Sequence, residues 1–146
     1  VEERALVITW ELERDGVVEQ LGHNEITTAG LNNMLDVAFG LGGTAVSATN
    51  AYIGVGDSST AFVPSQTDLQ ASSSKLRKGM VAGYPSRASQ TVTLRSQFTT
   101  GEANFTWREY AIFWGASGAK MLSRRVQNLG TKSSGTWTLT ASVTLA

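Results

Sequence analysis

The chain has no cysteine and one histidine, which rules out a disulfide framework, a thiolate metal site and a cysteine nucleophile, and leaves His23 without a second imidazole. Charge of one sign is lacking too. With 12 basic and 12 acidic residues the formal net charge is zero, which argues against duplex nucleic acid or an anionic membrane surface as partner. Neutral proteins associate readily, so a place inside an assembly fits better. No hydrophobic run approaches the roughly 20 residues of a membrane span. The amino terminus Val1-Glu2-Glu3-Arg4 is charged where a signal peptide needs apolar residues, so a soluble, unprocessed body is expected.

Alternation of apolar and polar residues fills most of the chain. Over residues 136–146, Trp137, Leu139, Ala141, Val143 and Leu145 share one face and the intervening Thr and Ser residues the other, which is a strand with one dry side. A strand in this position needs partners on both edges. Leu6, Ile8, Trp10 and Leu12 alternate likewise, and Asp15-Gly16 before Val17 predicts a hairpin. From Thr27 the period changes: Leu31, Met34, Leu35 and Ala38 stand at helical spacing, with Thr27 or Thr28 as N-cap and Gly40 as stop.

Residues 40–50 read as an exposed loop, residues 51–56 as a short strand with two glycines, and residues 65–69 as one capped helical turn. Further strands are expected over residues 76–81, 91–98, 105–114 and 120–126, with a turn at residues 99–102. The sum is seven or eight strands and one short α-helix over residues 28–39. That pattern predicts an all-β, antiparallel β-sandwich, jelly-roll-like, in a single domain over residues 1–146; with 41% hydrophobic residues the chain suffices for one core.

Several fragments mimic chemistry without its partners. Ser72-Ser73-Ser74-Lys75 has the spacing of an acylating serine but lies in a polar run without a Lys-Thr-Gly partner. Gly54-Val55-Gly56-Asp57 lacks the helix and the Lys-Ser/Thr pair of a phosphate loop, and Asp57 with Ser58, Ser59 and Thr60 offers one carboxylate where calcium takes six to eight oxygens. Asn104-Phe105-Thr106 is a formal glycosylation sequon. His23 fits a turn or surface position better than a metal. No catalytic, cofactor-binding or metal-ligating residues are therefore assigned, and no enzyme activity or cofactor is expected.

Glu109 is the most informative charge, because it lies within an aromatic strand between Trp107 and Phe113 on the same side. Facing a core, it needs a cation, with Arg124, Arg125 and Lys132 as candidates. No second carboxylate, histidine or nucleophile accompanies it as a general base would require. The stripe Trp107, Tyr110, Phe113 and Trp114 reads as core or subunit interface ahead of a sugar platform.

The runs Asn24-Glu25-Ile26-Thr27-Thr28-Ala29-Gly30-Leu31, Tyr52-Ile53-Gly54-Val55-Gly56-Asp57-Ser58-Ser59-Thr60-Ala61 and Ser65-Gln66-Thr67-Asp68-Leu69 together resemble a widespread family of small virion structural proteins of tailed bacteriophages. The resemblance continues through Gly101-Glu102-Ala103-Asn104-Phe105-Thr106-Trp107-Arg108-Glu109-Tyr110, Ser117-Gly118-Ala119-Lys120-Met121-Leu122-Ser123-Arg124 and Leu129-Gly130-Thr131-Lys132-Ser133-Ser134-Gly135-Thr136-Trp137-Thr138-Leu139. It departs at Tyr110-Ala111, where a glycine is expected shortly after the glutamate. The resemblance implies a non-enzymatic module of the virion whose partners are other virion proteins, the major capsid protein or tail proteins. A capsid decoration or auxiliary head protein is expected, because the chain is neutral and has no heptads or fibre repeats. A homo-oligomer follows, with a trimer favoured by symmetric capsomer junctions. The alternative is a tail, baseplate or fibre-associated subunit with a receptor-binding role. A lectin or carbohydrate-acting enzyme would need an aromatic cleft or paired carboxylates.

Overall fold

The computed structural model describes residues 5–23 and 25–145; the expectations made at Val1 to Arg4, Asn24 and Ala146 lie outside the described residues. The first hairpin forms as expected from β1 (Leu6–Arg14) and β2 (Val17–His23). Asp15 and Gly16 between them have φ of 53° and 74°, the left-handed pair that a two-residue type I′ turn requires. Then follow β3 (Glu25–Ile26), α1 (Thr28–Ala38), β4 (Tyr52–Gly56), β5 (Lys75–Gly79), β6 (Ser86–Ala88), β7 (Thr91–Phe98), β8 (Thr106–Phe113), β9 (Met121–Thr131) and β10 (Trp137–Leu145).

These strands make two antiparallel five-stranded sheets, ordered β2-β1-β10-β7-β6 and β3-β9-β8-β4-β5, and the fold is an all-β sandwich. β10 lies between β1 and β7, held on both edges. Its Trp137, Leu139 and Ala141 are buried, but burial then fades, and Leu145 is exposed. The inner face opens at this end, where Val92, Leu94 and Val143 line an apolar groove of about 210 Å³. Between the sheets Trp10 meets Tyr110 edge to face, and Trp107 meets both Phe98 and Trp137, with centroids 4.8–5.0 Å apart.

Five expectations need correction. The described residues hold ten strands, because β3 and β6 are two and three residues long and carry no alternation to recognise. The strand placed at residues 76–81 is β5, Lys75–Gly79. Residues 65–69 are not helical: this stretch directs its polar groups at neighbours, with Leu69 N–H on its own Asp68 carboxylate and the Gln66 side chain on the Ala61 carbonyl. The turn at residues 99–102 carries the chain from one sheet to the other, so β7 and β8 do not pair.

The fifth correction concerns β8. The register shifts between Trp107, which lies opposite Gly130, and Glu109, which lies opposite Val126, so that β9 carries two extra residues across this step, and the face that β8 turns to the core reverses there. Trp107, Tyr110 and Ile112 therefore enter the inter-sheet core, while Glu109, Ala111 and Phe113 face outward. The outward set is also buried, because the connection between β4 and β5 crosses over it and seats Leu69 against Ala111, Phe113 and Met121. The glutamate and Trp107 thus lie on opposite faces.

Candidate functional site

Two places concentrate polar or apolar groups in an unusual way. The first is Glu109, fully buried beneath the crossing connection. Its Oε2 accepts from Arg124 Nε at 2.7 Å and from Gln70 N–H at 2.9 Å, and its Oε1 accepts from Ala71 N–H at 2.9 Å. Arg124, equally buried, also donates through Nη1 to Gln66 Oε1 at 3.1 Å. The carboxylate is thus neutralised and hydrogen-bonded through both oxygens, as burial of a charge demands, while Nη2 of Arg124 is buried without a hydrogen-bond partner. Gly56 of β4 provides the room: a Cβ there would stand 2.3 Å from Glu109 Oε1. With both oxygens engaged by main-chain amides and a guanidinium and the side chain fully buried, the group fastens the connection to the sheet and has no free face for substrate.

Of the three expected cations, Arg124 alone binds Glu109. Arg125 turns to the other side, donating to the His23 carbonyl and, at 3.4 Å, to Gln127 Oε1. Lys132 is buried elsewhere, and its Nζ reaches Thr99 O at 2.7 Å and both Glu102 O and Asn104 Oδ1 at 2.9 Å. It closes the crossover turn. Glu102 completes that turn from outside, its carboxyl held down to about 2 by hydrogen bonds from Lys78 and from the Thr99 hydroxyl and N–H.

The remaining fragments fall apart as chemistry. Ser72 and Ser73 are exposed and Lys75 lies 3.6 Å from Asp68, not beside a hydroxyl. Asp57 pairs with Arg108 at 2.6 Å. His23 is exposed, and Asn104 is engaged at both ends of its amide by Lys132 and Thr100. Among the described residues no three His, Cys, Asp or Glu side chains come together, and no helix is long and apolar enough to cross a membrane. The aromatic stripe is buried in full; burial pushes the Tyr110 phenol up to about 12, against a downward pull from Arg125.

The second place is α1, and here sequence reasoning saw the helix but not its orientation. Thr27 caps it by accepting Gly30 N–H at 2.9 Å, while the Thr27 hydroxyl donates to Met121 O at 2.6 Å. Gly30 lies so close over β9 that a Cβ would be 2.4 Å from the Leu122 carbonyl. The packed face is therefore Gly30 and Asn33, with Ala29 and Met34 beside them. The two leucines of the apolar periodicity turn outward: Leu31 is 47% and Leu35 54% exposed.

The helix ends in a Schellman motif, with Leu41 N–H on Asp36 O at 2.8 Å and Gly40 at φ 67°. Leu41 does not fold back on the helix as this motif favours. It is 74% exposed, and Phe39 is 72% exposed, so two large apolar side chains stand out from a hydrogen-bonded turn. Beside them runs an apolar groove of about 290 Å³ between Met34, Val37 and Ala38 of the helix and Thr44, Ala45 and Val46 of the loop. Asn33 fixes its far wall by paired hydrogen bonds to Thr44, 2.8 and 2.9 Å. The groove shares Met34 and Val46 with the opening between the sheets. No family model matches the chain, and no curated protein or solved structure matches it either.

Proposed function

We propose that this chain is a non-enzymatic structural protein of a tailed-bacteriophage virion, a decoration or auxiliary head protein that binds the shell and reinforces it. The reading is supported by the sequence resemblance from about residue 24 to residue 146 and, above all, by the outward leucines of α1 with Phe39 and Leu41. Such an apolar surface on a neutral protein is suited to protein contact, not to solvent. The buried charge and the aromatic stripe are consumed by the fold itself, which leaves this surface as the place where function is expressed.

Reconstruction of the particle by cryo-electron microscopy tests the reading directly. Density for the sandwich on the capsid lattice supports it, and particles without the protein then rupture more readily on heating. Density confined to the tail or baseplate replaces it with the tail reading. Turnover of cell-wall or capsular polysaccharide by the purified protein, abolished by Glu109→Gln, overturns the non-enzymatic part.

A further inference from the structure

We propose that the occupant of the apolar groove beside α1 is a second copy of this chain, which inserts its own Phe39 and Leu41. The inference deepens the assembly role proposed above and rests on that role for its purpose but not for its geometry. The chain carries both halves of the contact. The knob is two apolar side chains more than 70% exposed, and the groove, lined by Met34, Val37, Ala38, Ala45 and Val46, has no charged wall. A partner with a charged or strongly polar contact segment would leave its groups unpaired there.

Both halves are also held in place before contact. The Schellman hydrogen bonds fix residues 39–41, and Asn33 ties Thr44 to the helix, so little ordering entropy remains to be lost on association. Area agrees with this occupant. Leu31, Leu35, Val37, Phe39 and Leu41 together expose side-chain area on the order of several hundred Å², as much as the largest apolar patch of a typical monomer. Covering this area and the groove on both copies approaches the roughly 1,200 Å² at which specific interfaces become stable. Asp36 is the one ionisable residue of α1, so few like charges oppose each other when copies meet.

Neither half can satisfy the other within one chain, since Phe39 and Leu41 remain in solvent while the groove beside them stays open. Exchange between copies satisfies both. The contact closes either as a two-fold pair or as a ring, and either form leaves the β10 end of the sandwich next to the interface, because the groove runs on past Met34 and Val46 to Val92 and Val143.

Sedimentation velocity of the full chain between about 1 and 100 µM reads the association, and the variant Phe39→Asp/Leu41→Asp tests the knob. The expected result is a species heavier than the 15.6 kDa chain. The variant is expected to weaken association at least 30-fold, as loss of a central apolar anchor does. Far-ultraviolet circular dichroism should be unchanged, because both side chains are exposed. Geometry is tested by mixing the single variants Leu41→Cys and Ala45→Cys with a short bis-maleimide, which the cysteine-free chain permits. Mixed cross-links in excess of like-with-like products support knob in groove. A wild-type chain that stays at 15.6 kDa throughout, a variant that associates as before, or cross-links only between like variants each overturn it. A monomeric chain that is nevertheless present in purified particles would sink this inference alone and leave the virion role standing.

Discussion

Replacing Glu109 by glutamine keeps the shape of the side chain and removes one charge and one acceptor. The carboxylate serves three donors, and an amide can face them in only two ways. With its nitrogen at the Oε1 position it opposes Ala71 N–H; at the Oε2 position it opposes both Gln70 N–H and Arg124 Nε. The first is the lesser conflict, yet it still leaves Arg124 buried without a counter-charge. Breaking a buried pair from one side costs about 3–5 kcal/mol. At roughly 2–4 °C per kcal/mol for a chain near this size, the melting temperature should fall by about 10 °C. Urea unfolding followed by tryptophan fluorescence measures the loss, and hydrogen exchange should show the Gln70 and Ala71 amides losing protection first. Adding Arg124→Met to Glu109→Gln removes the stranded cation, so the double variant should be more stable than the sum of the two single losses by about 1–3 kcal/mol. A Glu109→Gln protein within about 1 kcal/mol of wild type, with both amides still protected, would refute the account of this carboxylate as the fastening of the connection.

Gly30→Ala sets a methyl carbon 2.4 Å from the Leu122 carbonyl and must lift α1 off β9; calorimetry should record a loss of about 1–3 kcal/mol despite the better helix propensity of alanine. Glu102 has a folded pKa of about 2 against an ordinary 4.5, so its contribution is complete above about 4.5 and disappears as pH falls toward 2. Glu102→Gln should therefore lower stability at neutral pH and flatten the acid limb of the stability–pH curve in that window, as read by urea midpoints. Removal of residues 136–146 takes the middle strand from one sheet and bares the edges of β1 and β7, so the truncated chain should be insoluble; a soluble product with native near-ultraviolet circular dichroism would contradict the placement of β10.

Strands were legible where one face is wet. β1, β7 and β10 alternate because solvent lies on one side of them, and Asp15-Gly16 announces its turn because two consecutive positive φ values suit few other pairs. β8 is buried on both faces, and there period-2 reasoning loses its reference. An unseen bulge after Trp107 then placed Glu109 on the wrong side, although its need for a cation was legible from its neighbours, and Arg124 was among the three named. The orientation of α1 was hidden for a different reason. Hydrophobic periodicity marks leucines as the packed face, but the packing here is decided by distance: at its point of closest approach to β9 the helix can present only a glycine, Gly30, while the buried Asn33 turns to Thr44 of the loop. The signal available in the sequence was Gly30 itself, a glycine one turn into a helix where alanine would serve better unless space forbids it.

The two places are mechanically one. Pro64, in the connection fastened by Glu109, accepts Thr28 N–H at 2.9 Å, and Gln66 of the same connection holds Arg124. Thr27, immediately before, is hydrogen-bonded through its N–H to Leu122 at 3.0 Å and through its hydroxyl to Met121. The first turn of α1 is thus clamped between β9 and the connection, and the far end of the helix is the part that carries Phe39 and Leu41. A buried ion pair is a poor source of net stability, since an apolar pair of similar volume is often as good or better. What an apolar pair cannot do is accept two main-chain N–H groups at a fixed point on a sheet. Glu109 therefore contributes position more than energy: it sets the connection, the connection and β9 set the helix, and the helix holds its apolar end at one fixed place above the mouth of the sandwich.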